Sequence, residues 1–138
     1  MRILLIGAGA VGKYLAGELS SKHEVTLIET RRDRCELLRP LLPNVKLINE
    51  DGCEPWVLEM VGISDTELVV TVTGDDEDNL VISYLSKFEY EVPTVIARVN
   101  NPSNQWLFNP EWGVDTEVSV SDMIAQVVQE EITALVED

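Results

Sequence analysis

The chain has 138 residues, 45% of them apolar, which is enough for one domain with a real core and too many for a disordered segment. Its 25 acidic residues against 10 basic ones give a formal net charge of -15, which excludes a nucleic-acid partner, since phosphate backbones need a basic footprint. No apolar run approaches the roughly 20 residues of a membrane helix, and strand-like residues begin at once, so neither membrane insertion nor a signal peptide is expected.

Strand and helix signals alternate along the whole chain. Strands are expected at residues 2–6, 24–29, 45–48, 67–73, 94–99 and 115–118. Helices are expected at 10–21, 32–42 (ended by Pro43), 55–61 (with Pro55 in the first turn), 77–88, 103–108 and 122–136 (capped by Ser121). Six apolar strands separated by helices predict an α/β fold: a doubly wound, parallel six-stranded sheet covered on both faces, in the order 3-2-1-4-5-6. No linker or low-complexity tract divides it, so residues 1–138 read as one domain.

The strongest motif is Gly7-Ala8-Gly9-Ala10-Val11-Gly12, directly after Ile3-Leu4-Leu5-Ile6. A strand running into three glycines at this spacing and then a helix is the Rossmann-like arrangement for a dinucleotide or nucleotide. Gly7 permits the tight turn, Gly9 lets phosphate approach the backbone, and Gly12 lets the helix pack closely. The helix start then aims unpaired N–H groups at the phosphates.

Glu29 ends the second strand, where a carboxylate can accept both ribose hydroxyls and disfavours a 2′-phosphate. NAD or another unphosphorylated adenosine ribose is therefore preferred over NADP. Arg31, Arg32 and Arg34 follow; one could reach a phosphate, while Arg32 and Arg34 read as a solvated helix turn. Asp51-Gly52 lies past the third strand, placed for the adenine edge or held by local N–H groups. Thr73-Gly74-Asp75-Asp76 ends the fourth strand across the crevice, and Asn79 is close enough to brace that loop. Arg98 is the one charge in Val95-Ile96-Ala97-Arg98-Val99. It needs a partner, with Asp75, Asp76 and Asp78 as candidates, or it faces a ligand or a subunit boundary.

Acids at a helix start such as Asp75, Asp76 and Asp78 are common without metal, and no metal site is assigned. Cys35 and Cys53 have no metal or redox spacing and suit a reducing compartment. The heavy acidity with only four lysines fits either a very salty cytoplasm, where the Debye length falls to about 3 Å, or an ordinary acidic bacterial protein.

Together these residues resemble the N-terminal nucleotide-binding domain of the potassium-conductance regulators of Trk and Ktr uptake systems and some potassium channels. The resemblance rests on the glycine loop, Glu29, Glu50-Asp51-Gly52, Asp78-Asn79-Leu80, Ile96-Ala97-Arg98-Val99-Asn100-Asn101-Pro102 and Trp112-Gly113-Val114-Asp115, and covers essentially the whole chain. It implies a cytoplasmic regulator, peripheral to the inner face of the membrane, that binds NAD or NADH, or ATP, ADP or AMP. It also implies a homodimer, or a larger ring, beneath a membrane potassium transporter or channel subunit. On matching positions Gly7, Gly9, Gly12, Glu29, Asp51 and Thr73 would line the nucleotide, with neighbours Ala10, Val11, Thr30, Arg31, Gly52, Cys53 and Gly74. Asp75, Asn79 and Arg98 would shape the crevice. The last helix, with Met123, Ile124, Val127, Val128, Ile132 and Leu135 on one face, would cross to a neighbour rather than fold onto its own sheet. Ala10 departs from the Arg that many members carry, which tilts the ligand from ATP towards NAD or AMP. The family's usual C-terminal ligand-binding domain has no counterpart in these residues.

Enzymatic function is not expected. The only histidine, His23, lies in the turn before the second strand, and no Tyr-x-x-x-Lys pair, nucleophile elbow or Walker lysine is present. The alternative is an NAD-dependent oxidoreductase half-domain whose catalytic groups come from another chain.

Overall fold

Short runs of branched apolar residues bounded by glycine, proline and acids become six parallel strands. A computed structural model describes residues 1–137. The elements in chain order are β1 (Arg2–Ile6), α1 (Ala10–Leu19), β2 (Glu24–Ile28), α2 (Arg32–Leu38), β3 (Lys46–Ile48), α3 (Pro55–Met60), β4 (Leu68–Thr71), α4 (Asp76–Tyr84), β5 (Thr94–Val99), β6 (Thr116–Ser119) and α5 (Val120–Glu137). The sheet order is β3-β2-β1-β4-β5-β6, all parallel, with Leu5 level with Leu27 and with Val70. This is the expected doubly wound topology, and it puts the reversal of strand order between β1 and β4.

Alternate residues of each strand feed opposite faces. Ile3, Leu5, Leu27 and Val70 pack with Ala16 of α1 and Leu38 of α2. Leu4, Ile6, Ile28, Val69 and Val95 pack with Val57 and Leu58 of α3 and Ile82 of α4. Burying each such side chain contributes about 1.5–3 kcal/mol, so two filled faces explain why strands this short are stable.

Several boundaries differ from the sequence expectation. Regular α-helix in α2 stops at Leu38, because Pro40 has no N–H to donate and the chain tightens into a 3₁₀ turn, Arg39–Leu41. The helix expected to run to residue 88 passes instead from α4 into a π-helical turn, Leu85–Glu89. Ser121 is not the cap of the last helix. α5 begins at Val120, and the Ser119 hydroxyl accepts from the Asp122 N–H at 3.3 Å.

α5 also departs from ordinary packing: no residue in it is buried. Met123, Ile124, Val127, Val128 and Ile132 are all at least half exposed, and Leu135 is 76% exposed. In this structure the helix does not pack onto its own sheet.

Candidate functional site

β1 runs into Gly7, whose φ of 105° is a left-handed region that an L side chain resists. Its amide donates to the Ile28 carbonyl at 2.9 Å, tying the loop to β2. A Cβ on Gly7 would stand 2.8 Å from the Thr73 amide nitrogen, so the loops after β1 and β4 touch backbone to backbone. Gly12 closes the stack from the other side, where a Cβ would lie 1.8 Å from the Gly7 carbonyl oxygen. Gly9 is different. Its backbone is extended, nothing lies within 4 Å of where its Cβ would be, and as the residue capping α1 it offers no side-chain acceptor to the helix's first N–H groups.

These loops wall a cleft of about 440 Å³, a volume typical of small-molecule sites. Gly7, Ala8 and Gly9 form one side. Glu29, Thr30 and Arg31 form the next, with Glu50, Asp51, Gly52 and Cys53 beyond them, and Val72 to Asp75, Asp78 and Arg98 stand opposite. Of the sequence candidates, Ala10, Val11, Gly12 and Asn79 do not line it. Ala10 and Val11 are exposed and do not line the cleft. Gly12 is buried beneath Gly7.

Asn79 is completely buried and acts as a brace. Its Oδ1 accepts from the Thr71 and Thr73 hydroxyls at 2.8 and 2.7 Å and from the Thr73 amide at 3.2 Å; its Nδ2 donates to the Thr73 and Arg98 carbonyls. It thus fixes β4's exit to β5. Asp76, also buried, collects the Asn100 and Asn101 amides and the side chains of Asn100 and Asn104. Burial pushes its pKa up, but these donors outweigh burial and hold it below the usual range. Asp76 therefore has no acceptor to spare for Arg98.

Arg98 forms no ion pair with Asp75, Asp76 or Asp78, and its half-buried side chain lines the cleft with the buried Nε lacking a hydrogen-bond partner. Asp75 instead caps α4, accepting from the Asp78 amide at 3.1 Å. Asp51 is held by its own loop, accepting from the Cys53 amide at 2.8 Å. Burial, aided by Asp78 and Asp51, pushes the Cys53 thiol up, so it stays protonated. Asp78 is also raised, first by burial and then by the charge of Asp75. Arg34 is not a solvated residue: its Nε donates to the Ala8 carbonyl at 2.7 Å and steadies the glycine loop from α2. Arg32 pairs with Glu36 on the exposed helix surface, as expected.

Glu29 is only 5% exposed. Its carboxylate accepts from the Ala8 amide at 3.0 Å, the Arg31 amide at 2.8 Å and the Arg31 guanidinium at 3.1 Å through both Nε and Nη2. Burial pushes this carboxyl up, but the Arg31 and Ala8 donors overcome burial and hold it down at about 2, from an ordinary 4.5. Because the folded value is the lower one, ionised Glu29 stabilises the fold fully above about pH 4.5 and loses that contribution as pH falls through 2. The shift corresponds to roughly 3 kcal/mol, reduced to about 2 kcal/mol because Arg31 is screened by solvent. Glu29→Gln is thus expected to lower the unfolding free energy by about 2 kcal/mol at pH 7, with the gap narrowing to about 1 kcal/mol at pH 3 and closing only below about pH 2; urea unfolding at pH 7 and pH 3 measures it.

Comparison with known proteins adds the lineage. The model of the TrkA-N domain family matches residues 3–120, which take in all six strands apart from Arg2 at the start of β1. The chain belongs to the TrkA-N domain family. The Trk system potassium uptake protein TrkA of Mycobacterium tuberculosis is 42% identical over 134 residues, covering 96% of this chain and 60% of that protein. The chain thus spans about three fifths of the length of this curated relative. Among solved structures, the TrkA-N domain of the inner membrane protein ybaL from Escherichia coli superposes with a TM-score of 0.81 at 21% identity, covering 94% of each chain. The NAD(P)-binding domain of an exopolyphosphatase-related protein from Archaeoglobus fulgidus gives 0.77 at 24% identity, covering 96% of this chain and 97% of that one. At these identities the two structures bear on the fold. Within this TrkA-N domain, the family match ends at residue 120, where α5 begins, so the exposed helix lies almost wholly outside it.

Among the described residues no group of three or more His, Cys, Asp or Glu side chains is placed to hold a metal ion. Tyr84 sits on the surface against Phe88 and Trp112, away from the cleft.

Proposed function

We propose that this TrkA-N domain is a cytoplasmic nucleotide-binding regulatory module of a potassium uptake or channel system, and that it senses NAD or NADH. The observation that carries the reading is the empty space over Gly9 beside an α1 start that has no capping side chain. The lining carboxylates Glu29, Glu50, Asp51, Asp75 and Asp78 outnumber Arg31 and Arg98, so the pull on a phosphate comes from local backbone amides. Glu29 faces the ribose hydroxyls, Asp51, Gly52 and Cys53 flank the adenine, and Thr73, Gly74, Asp75 and Arg98 bound the phosphate side. Ala10 supplies no cation for a terminal phosphate, which favours NAD or AMP over ATP. The relative named for potassium uptake supports the transport setting.

Such a module acts by changing the geometry of an assembly. The bare apolar face of α5 is the surface a second copy would cover, and larger rings beneath a membrane transporter or channel subunit would extend the same arrangement. No described helix is long and apolar enough to cross a membrane.

The test is a titration of NAD, NADH, ATP, ADP and AMP by calorimetry at low and molar salt, with sedimentation of the same samples. A clear heat with NAD or NADH, no turnover, and a dimer that resists molar salt are expected. Silence across the panel would remove the sensor reading, and a monomer at all concentrations would remove the role given to α5.

A further inference from the structure

Glu29 has an acceptor arithmetic that bears on how ligand enters. A carboxylate accepts at about four positions. Two are taken by backbone donors that the fold holds in place, the Ala8 amide in the glycine loop and the Arg31 amide after β2. The other two are taken by the Arg31 guanidinium, with Nη2 on Oε1 and Nε on Oε2, both at 3.1 Å. The Thr30 hydroxyl adds only a long contact of 3.4 Å. Those last two positions are the ones that a pair of vicinal ribose hydroxyls would need, one on each oxygen. The guanidinium itself lines the cleft.

The two sets of donors are not equally secure. The amides cannot leave without unravelling the loop. The Arg31 side chain is 58% exposed, ends an unbranched arm, and forms no ion pair in the described structure besides that with Glu29. It can swing into solvent while the carboxylate stays buried and doubly held.

We propose that Arg31 is a competitive clamp on the ribose subsite: it occupies the Glu29 oxygens in the empty cleft, and a ligand with an intact 2′,3′-diol must displace it to bind. This rests on the reading of the cleft as a nucleotide site. The clamp keeps a buried carboxylate paired when the cleft is empty and sets a threshold affinity for ribose-bearing ligands. Removing the guanidinium therefore strengthens, rather than weakens, the binding of a diol. Its charge also attracts phosphate, but that attraction is the same for a ligand with or without hydroxyls and cancels in a ratio.

The experiment titrates AMP and 2′,3′-dideoxy-AMP into the wild-type protein, Arg31→Ala and Arg31→Lys by calorimetry. The affinity of Arg31→Ala relative to wild type is expected to be about fivefold greater for AMP than for the dideoxy analogue, equivalent to about 1 kcal/mol for a solvent-screened pair. Arg31→Lys keeps the charge without the fork and is expected to show about half that gain in free energy. It preserves a partner for Glu29 and so guards against an alanine variant that fails to fold. The same relative change for both ligands overturns the clamp, as does a loss confined to AMP, which would make Arg31 a ribose ligand. If wild type and variants all ignore both ligands, the nucleotide reading of the cleft falls and the clamp with it.

Discussion

Gly12→Ala is expected to lower the unfolding free energy by about 4 kcal/mol, near the extreme for a single added methyl. The added Cβ would lie 1.8 Å from the Gly7 carbonyl oxygen and 2.9 Å from its carbon, both backbone atoms. Neither side can yield cheaply. Gly7 is already pressed against Val72 and Thr73, and its amide is committed to the Ile28 carbonyl. α1 can retreat only by lifting Ala16 from a core that includes Ile3, Leu5 and Leu27. Alanine would otherwise favour a helix interior by about 1 kcal/mol over glycine, so a large loss isolates the steric contact from helix propensity. Urea unfolding monitored by far-UV circular dichroism reads the effect. A loss under about 1 kcal/mol would mean that the β1–α1 turn is looser than its contacts indicate.

Much of the architecture is legible without coordinates because it is written in local pattern. Branched apolar runs such as Leu68–Thr71 have one stable environment, a parallel strand covered on both faces, and six of them interleaved with helices leave few topologies. The glycine loop is equally local: its spacing dictates a turn, a gap and a close contact within six residues, and the structure has all three at Gly7, Gly9 and Gly12. What escapes a linear reading is the partner of each polar side chain. Arg34 reaches back 26 positions to Ala8, and Asp76 gathers donors more than 20 positions ahead. Nothing in the spacing of those residues distinguishes them from solvated charges on a helix start. Asn79 is legible in part: its place in the first turn of α4 marks it as a brace for the Thr73 loop, which it is, but not its second hold on the Arg98 carbonyl or its facing away from the cleft. α5 shows the opposite case. Its apolar periodicity is plain, but amphipathicity states only that a face seeks cover, not whose surface provides it.

The same cleft also separates the fold from the function at one residue. Gly9→Asp is expected to weaken NAD binding more than 100-fold while leaving unfolding free energy unchanged or raised by a few tenths of a kcal/mol. The backbone permits the change: Gly9 has φ of -71° and ψ of -162°, an ordinary extended conformation, and open space lies around its Cβ position. Aspartate is among the best residues for a helix N-cap, and its carboxylate would accept the first-turn amides of α1 that no side chain now caps. That satisfaction is the reason binding fails. The amides offered to a phosphate would be consumed within the protein, the space over Gly9 would be filled, and a negative charge would stand where the ligand's own charge must sit. Gly12→Ala and Gly9→Asp thus separate the two roles of the motif, one glycine serving contact and the other vacancy. Calorimetric titration with NAD, paired with urea unfolding of the same sample, measures both halves. A folded Gly9→Asp protein that still binds NAD with wild-type affinity would place the phosphates somewhere other than the start of α1.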